Sequence, residues 1–197
     1  MLNEVMLKKY SLKDFDRKEI LRYAACKTET DEIRAALDEC LQVCDGMFSP
    51  RVCYIVWTVE QFFEAFGRES KTVSVRLDGC QYVVAFAGTV GLDIDRLVAK
   101  YASIAPSKAV FLQAIGTERI ETLCDTFCQE IREQAKEKGY TARQRFSAGY
   151  GDFPLQRQKE ICRVLDCTRK IGVSLTDSLF MVPTKSVTAF IGLEKQQ

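Results

Sequence analysis

The densest concentration of chemistry-bearing residues is the run Arg145-Phe146-Ser147-Ala148-Gly149-Tyr150-Gly151-Asp152. An arginine fork suits bidentate recognition of a carboxylate. The small residues and glycines that follow let a ligand approach the backbone, whose N–H and C=O groups can read the edge of a heterocycle. Tyr150 adds an aromatic face and a hydroxyl. The same residues also spell an ordinary turn leading into a helix opened by Pro154, so the residues alone leave both readings open.

Glu121 is the second candidate. It lies at the edge of an apolar helical stripe, three and seven residues before Cys124 and Cys128. A carboxylate there can accept hydrogen bonds from a ligand ammonium group. It can equally be a boundary residue paired with Arg119 or Lys108, since exposed ion pairs specify little.

Nine cysteines stand at positions 26, 40, 44, 53, 80, 124, 128, 162 and 167. Cys40/Cys44 and Cys124/Cys128 share helix faces at a spacing of four, which could in principle form a four-thiolate metal site. The competing reading is that each pair packs as small apolar residues on its helix. No Cys-x-x-Cys is present. The odd count, without a secretory signal at Met1-Leu2-Asn3-Glu4-Val5, points to free thiols and a cytoplasmic location. The sequence contains no histidine, which removes Ser-His and Cys-His nucleophile pairs and imidazole acid–base chemistry. Gly88-Thr89-Val90-Gly91 follows a strand pattern and precedes a helix pattern, but lacks both glycine fingerprints for phosphate binding. A turn that needs glycine's positive φ explains it better.

These residues must be held by one domain, because 197 residues fit a single core. With 28 Lys and Arg against 27 Asp and Glu, the net charge of +1 disfavours a nucleic-acid partner. No apolar run is long enough to span a bilayer, so no membrane partner is expected. The pattern predicts an opening strand over 2–10, helices over 14–27 and 30–44, and a buried strand over 51–58. Residues 61–70 are ambiguous. A strand follows over 81–88, then a helix over 93–103. Pro106 opens another helical stretch, continued from 117 to about 138 by the stripe Ile120, Leu123, Cys124, Phe127, Cys128, Ile131 and Ala135. The last third reads as an extended 143–148, the glycine turn, a helix from Pro154 to about 166, and a hairpin. The hairpin arms would be 179–182 and 186–193, joined by Pro183-Thr184-Lys185. Helices and strands mix without a regular βαβ alternation, so the expected class is α+β, a mainly antiparallel sheet with helices packed around it.

Taken together, these segments resemble the activation domain of cobalamin-dependent methionine synthase. The Arg-x-x-x-Gly-Tyr signature of that family appears at Arg145 to Tyr150. Its Leu-Thr-x-Ser-x-x-Met-x-Pro-x-x-Ser-Val pattern is matched by Leu175, Thr176, Ser178, Met181, Pro183, Ser186 and Val187. The Ala85–Gly91 segment and the Glu121 helix also align. The resemblance covers roughly 80–192 within a single domain of 1–197, and is weakest over 1–75. It implies S-adenosylmethionine as ligand, with Arg145 on its carboxylate, Ala148, Gly149 and Tyr150 near the adenosyl group, Glu121 on the α-amino group, and Ser147 among the binding residues. It further implies an accessory role in reactivating oxidised cobalamin carried by a partner methionine synthase, with flavodoxin or ferredoxin as electron donor. An acidic ligand contact of the family has no secure match around Tyr23–Lys27, and the sequence ends at Gln197, where long synthases continue. The competing expectations are a module serving another corrinoid methyltransferase, or a thiol-rich metal-binding or structural protein.

Overall fold

The computed structural model describes residues 4–196, so residues 2–3 of the expected opening strand lie outside it. Strands β1 (Met6–Lys9), β2 (Arg51–Thr58), β3 (Cys80–Thr89), β4 (Tyr140–Ala142) and β7 (Ser186–Lys195) form one antiparallel sheet in the order β1-β2-β3-β7-β4. The three central strands are nearly unbroken apolar runs, the pattern of strands covered on both faces. Side-chain alternation then divides their residues between two cores. Val52, Tyr54, Val84, Phe86, Ala189 and Ile191 face one, whereas Cys53, Ile55, Trp57, Val83, Ala85 and Phe190 face the other.

The first core is closed by α1 (Arg17–Tyr23), α2 (Asp31–Val43), α5 (Asp93–Ile104) and α6 (Pro106–Glu137). The expected stretches at 106 and 117–138 are one continuous helix of 32 residues, about 48 Å long. Pro106 sits in its first turn, where a missing N–H costs nothing. Every residue of the predicted stripe from Ile120 to Ala135 is buried. Helix α1 is shorter than expected. The carbonyls of Lys13 and Asp14 accept from Arg119, and the amide of Asp16 donates to Glu118, so the chain over 13–16 is committed to α6 instead of to a helical turn.

The second core is closed by α3 (Val59–Phe66), α4 (Lys71–Leu77), α7 (Gln158–Val164) and α8 (Cys167–Ile171). The ambiguous stretch around 61–70 thus contains the end of one helix and the cap of the next. Its signal was a capping box: the Thr58 hydroxyl accepts from the Gln61 amide, and the Gln61 side chain accepts from the Thr58 amide. The helix expected from Pro154 begins with a 3-10 turn, Leu155–Arg157, and breaks at Asp166, which adopts a left-handed conformation before α8.

The predicted C-terminal hairpin is not formed. Strand β6 (Met181–Val182) pairs with β5 (Ser174–Leu175), while β7 enters the main sheet between β3 and β4. Both faces of β7 are buried, and a strand of that kind needs partners along both edges. The connection is pinned away from β6 by Thr184, whose amide and hydroxyl donate to Asp95 at 2.6 and 2.7 Å. The Ser186 hydroxyl also donates to the Pro183 carbonyl at 2.8 Å.

Candidate functional site

Between β4 and Phe146 the edge chain gains a residue on its neighbour. Ala142 pairs with Leu193 and Phe146 with Phe190, so four steps on one chain meet three on the other. This is a bulge, and it re-aims the side chains that follow it. Phe146 faces the second core, where it packs against Phe190 at a ring-centroid distance of 5.5 Å. Arg145, one residue earlier, reaches α6 on the opposite side and meets Glu121 at 2.6 Å and Asp125 at 3.6 Å.

Arg145 and Glu121 are therefore in direct contact, which was not an expected pairing for either. Glu121 pairs with neither Arg119 nor Lys108 among the described residues. The Nη2 of Arg145 donates to Glu121, whereas its Nη1 is buried and has no hydrogen-bond partner among the described residues. Cys124 lies below this pair. Burial pushes its thiol up to about 12 even though Arg145 acts in the opposite sense, and Cys128 is raised for the same reason. At neutral pH both are uncharged thiols, so one guanidinium stands against two carboxylates. Asp125 was missed in the sequence, although it follows Glu121 by one helical turn and a search for same-face carboxylates would have found it.

The remaining signature residues go round the edge of the sheet. Ala148 packs on the second core. Ser147 to Phe153 form a tight turn: the Tyr150 amide donates to the Ser147 carbonyl at 3.3 Å and the Gly149 amide to the Phe153 carbonyl at 2.8 Å. The turn rests on α4 so closely that a Cβ on Gly151 would lie 2.3 Å from the Thr72 hydroxyl. Tyr150 is half exposed, with its hydroxyl 3.4 Å from Arg76 Nη2 and the Arg76 guanidinium 5.3 Å from its ring centre. Arg76 also donates to Gln144 at 3.5 Å. No local pattern could have linked Arg76 to a residue 74 positions away. Among the described residues no hydrogen bond joins Tyr150 to Arg145 or Glu121.

Asp152 ties this turn down. It accepts from the Ser70 hydroxyl at 2.6 Å and from the amides of Lys71 and Thr72 at 2.8 and 3.0 Å, at the N-terminus of α4. The Ser70 hydroxyl, and after it the Thr72 and Lys71 donors, hold its carboxyl well below the usual range. A depressed folded-state pKa gives stability that is complete above the unfolded value of about 3.9 and is lost as pH falls towards the folded one. Asp152→Asn is accordingly expected to raise amide exchange at Lys71 and Thr72 at pH 7. The difference from the parent should persist to about pH 4 and close only below it; hydrogen exchange across that range checks this.

The other candidates are structural. Gly91, at φ +97, makes the turn after β3, and a Cβ there would lie 2.5 Å from the Ser49 hydroxyl. The Val90 and Gly91 amides donate to the Lys185 carbonyl and the Thr89 hydroxyl, so they are not free to cradle a phosphate. Cys40, Cys44, Cys124 and Cys128 all lie in the first core, and no group of three or more metal-ligating side chains occurs among the described residues. No helix among those residues is long and apolar enough to cross a membrane.

Fold and site together define an α+β domain with an arginine–carboxylate cluster where one edge of its sheet meets a long helix. The chain belongs to the vitamin B12 dependent methionine synthase, activation domain, family, whose model matches residues 71–197. Among solved structures it is similar to a crystal structure of the MetH reactivation domain bound to AdoHcy. That likeness has a TM-score of 0.70 and 14% identity over 100% of this chain and 80% of that one. At such identity it shows the fold. No curated protein matches the chain.

Proposed function

We propose that the chain binds S-adenosylmethionine at the Arg145–Tyr150 segment and serves as an accessory subunit that reactivates a cobalamin-dependent methionine synthase. Family membership supports the role, and the AdoHcy held by the similar reactivation domain supports the ligand class. The observation that carries it is Arg145, whose Nη2 is fixed by Glu121 while the buried Nη1 keeps an unused donor. A buried donor without a partner costs about 1–3 kcal/mol, which a ligand carboxylate would offset.

Charge agrees with this choice. Glu121 and Asp125 against Arg145 leave one net negative charge. A ligand with a carboxylate, an ammonium and a sulfonium carries one net positive charge. In this reading Arg145 orients the carboxylate, Glu121 accepts from the ammonium, and the Ser147–Tyr150 turn lies against the adenosyl group. S-Adenosylmethionine supplies a methyl group, which the partner's cobalamin takes together with an electron from flavodoxin or ferredoxin. No residue of this chain has to move a proton, so its contribution is binding and orientation, work that needs no histidine.

Calorimetric titration tests the reading. Arg145→Ala is expected to weaken S-adenosylmethionine binding by about ten- to hundredfold, the worth of a charged hydrogen bond. Absence of binding by both the chain and its complex with a cobalamin domain, or an unchanged affinity in Arg145→Ala, would end it. Recovery of methionine formation by an oxidised synthase in the presence of a reductant tests the partner.

A further inference from the structure

Interiors of proteins are close-packed, and helices that lie on a sheet normally fill the space beneath them. The second half of α6 does not. From Ile131 onward it presents Ala135 and the flexible Gln134 and Lys138 to the sheet. A cavity of about 420 Å³ is left against Tyr54, Val84 and Leu193, with Tyr82 and Tyr140 beside it. That volume falls within the range of small-molecule sites, about 300–1,000 Å³. The cavity begins ten residues beyond Glu121 along α6, about 15 Å away. It is thus separate from the arginine cluster.

The polar groups around the cavity say what else the ligand carries. Glu130, one helical turn before Gln134, is fully engaged: it accepts from Lys8, from the Tyr10 hydroxyl at 2.7 Å and from Gln134 at 2.8 Å. Lys138 is exposed where α6 ends and makes no ion pair among the described residues. The Tyr54 hydroxyl, on a buried side chain lining the cavity, has no hydrogen-bond partner among them either. The lining is therefore largely apolar, with Lys138 as its one charged side chain and the nearby Glu130 already paired. An anion with an apolar body gains from both the apolar lining and the Lys138 ammonium.

We infer that this cavity binds an apolar monocarboxylate of medium-chain fatty-acid size, its tail between the sheet and α6 and its carboxylate at Lys138. The inference does not depend on the S-adenosylmethionine reading, and it is tested on the full chain with decanoate and decanol as probes in calorimetric titrations. Decanoate is expected to bind. Lys138→Ala should weaken it about tenfold, the worth of one charge-assisted contact, and leave decanol unchanged. Ala135→Leu, which places a larger side chain in the cavity, should abolish binding of both probes while S-adenosylmethionine titrates as in the parent. A thermal melt confirms that this variant is folded, and Lys138→Ala, at an exposed position, provides the test if it is not. Failure of decanoate to bind overturns the inference. So does binding that neither substitution weakens, which would place the probe elsewhere, or an equal loss of decanoate and decanol in Lys138→Ala.

Discussion

Arg119→Ala is expected to destabilise the domain by about 3–5 kcal/mol, the usual consequence of breaking a buried ion pair. Arg119 and Glu118 are adjacent in α6, and both side chains are almost completely buried. Two contacts of 2.5 Å join them, Nε and Nη2 of Arg119 each donating to a Glu118 oxygen. Two further guanidinium donors go to the carbonyls of Lys13 and Asp14, and the ring of Phe15 has its centre 4.2 Å from the guanidinium. Glu118 also accepts from Thr122 and from the Asp16 amide. Removing Arg119 leaves a buried carboxylate unpaired and two carbonyls without donors. At about 2–4 °C per kcal/mol for a chain of this size, the midpoint of thermal unfolding should fall by roughly 10 °C. The double variant Glu118→Gln/Arg119→Met removes the charge problem but not the carbonyl problem. It should therefore recover only part of the loss, which urea titration of the three proteins can measure.

Phe190→Ala is expected to cost a similar amount, about 3–5 kcal/mol, by a different mechanism. Phe190 is fully buried on β7, with the rings of Phe62, Phe66 and Phe146 centred 5.0, 5.3 and 5.5 Å away. Its backbone exchanges both hydrogen bonds with Phe146, at 3.0 and 2.8 Å. The truncation thus leaves a cavity against the residue that follows Arg145. Stability loss should be accompanied by faster exchange of the Phe146 amide, beyond what global unfolding accounts for. An intact Phe146 protection pattern would show that the bulge is held by the backbone alone.

Much of the scaffold could be read from local pattern because local pattern is what fixes it. Arg51–Thr58 is a run of β-forming apolar residues, and the structure has β2 over those same residues. The stripe of α6 was legible because a helix that covers a sheet must be apolar at that period. The fate of Ser186–Lys195 was not legible. Turn residues between two strand-like runs describe a hairpin equally well whether or not the arms pair, and here the pairing was decided by burial on both faces of β7. The site shows the same division. Arg145 and Glu121 stood out individually by residue type and by family resemblance, but their 2.6 Å contact spans 24 positions and depends on how the edge chain is directed. Arg76 and Ser70, which support the glycine turn, belong to a helix that the sequence left unassigned. Glu118 and Arg119 sit in an apolar helix where composition alone could not reveal that their partners are main-chain atoms over 13–16.

The bulge between Ala142 and Phe146 makes the arrangement a matter of counting as much as of chemistry. Because the chain alternates between the two faces of the sheet, the parity of the segment decides which wall each side chain inherits. A segment of the same length paired without the bulge would place residue 145 opposite Phe190 and exchange the two walls. The guanidinium would be directed into the phenylalanine cluster and the phenyl ring towards the carboxylates of α6.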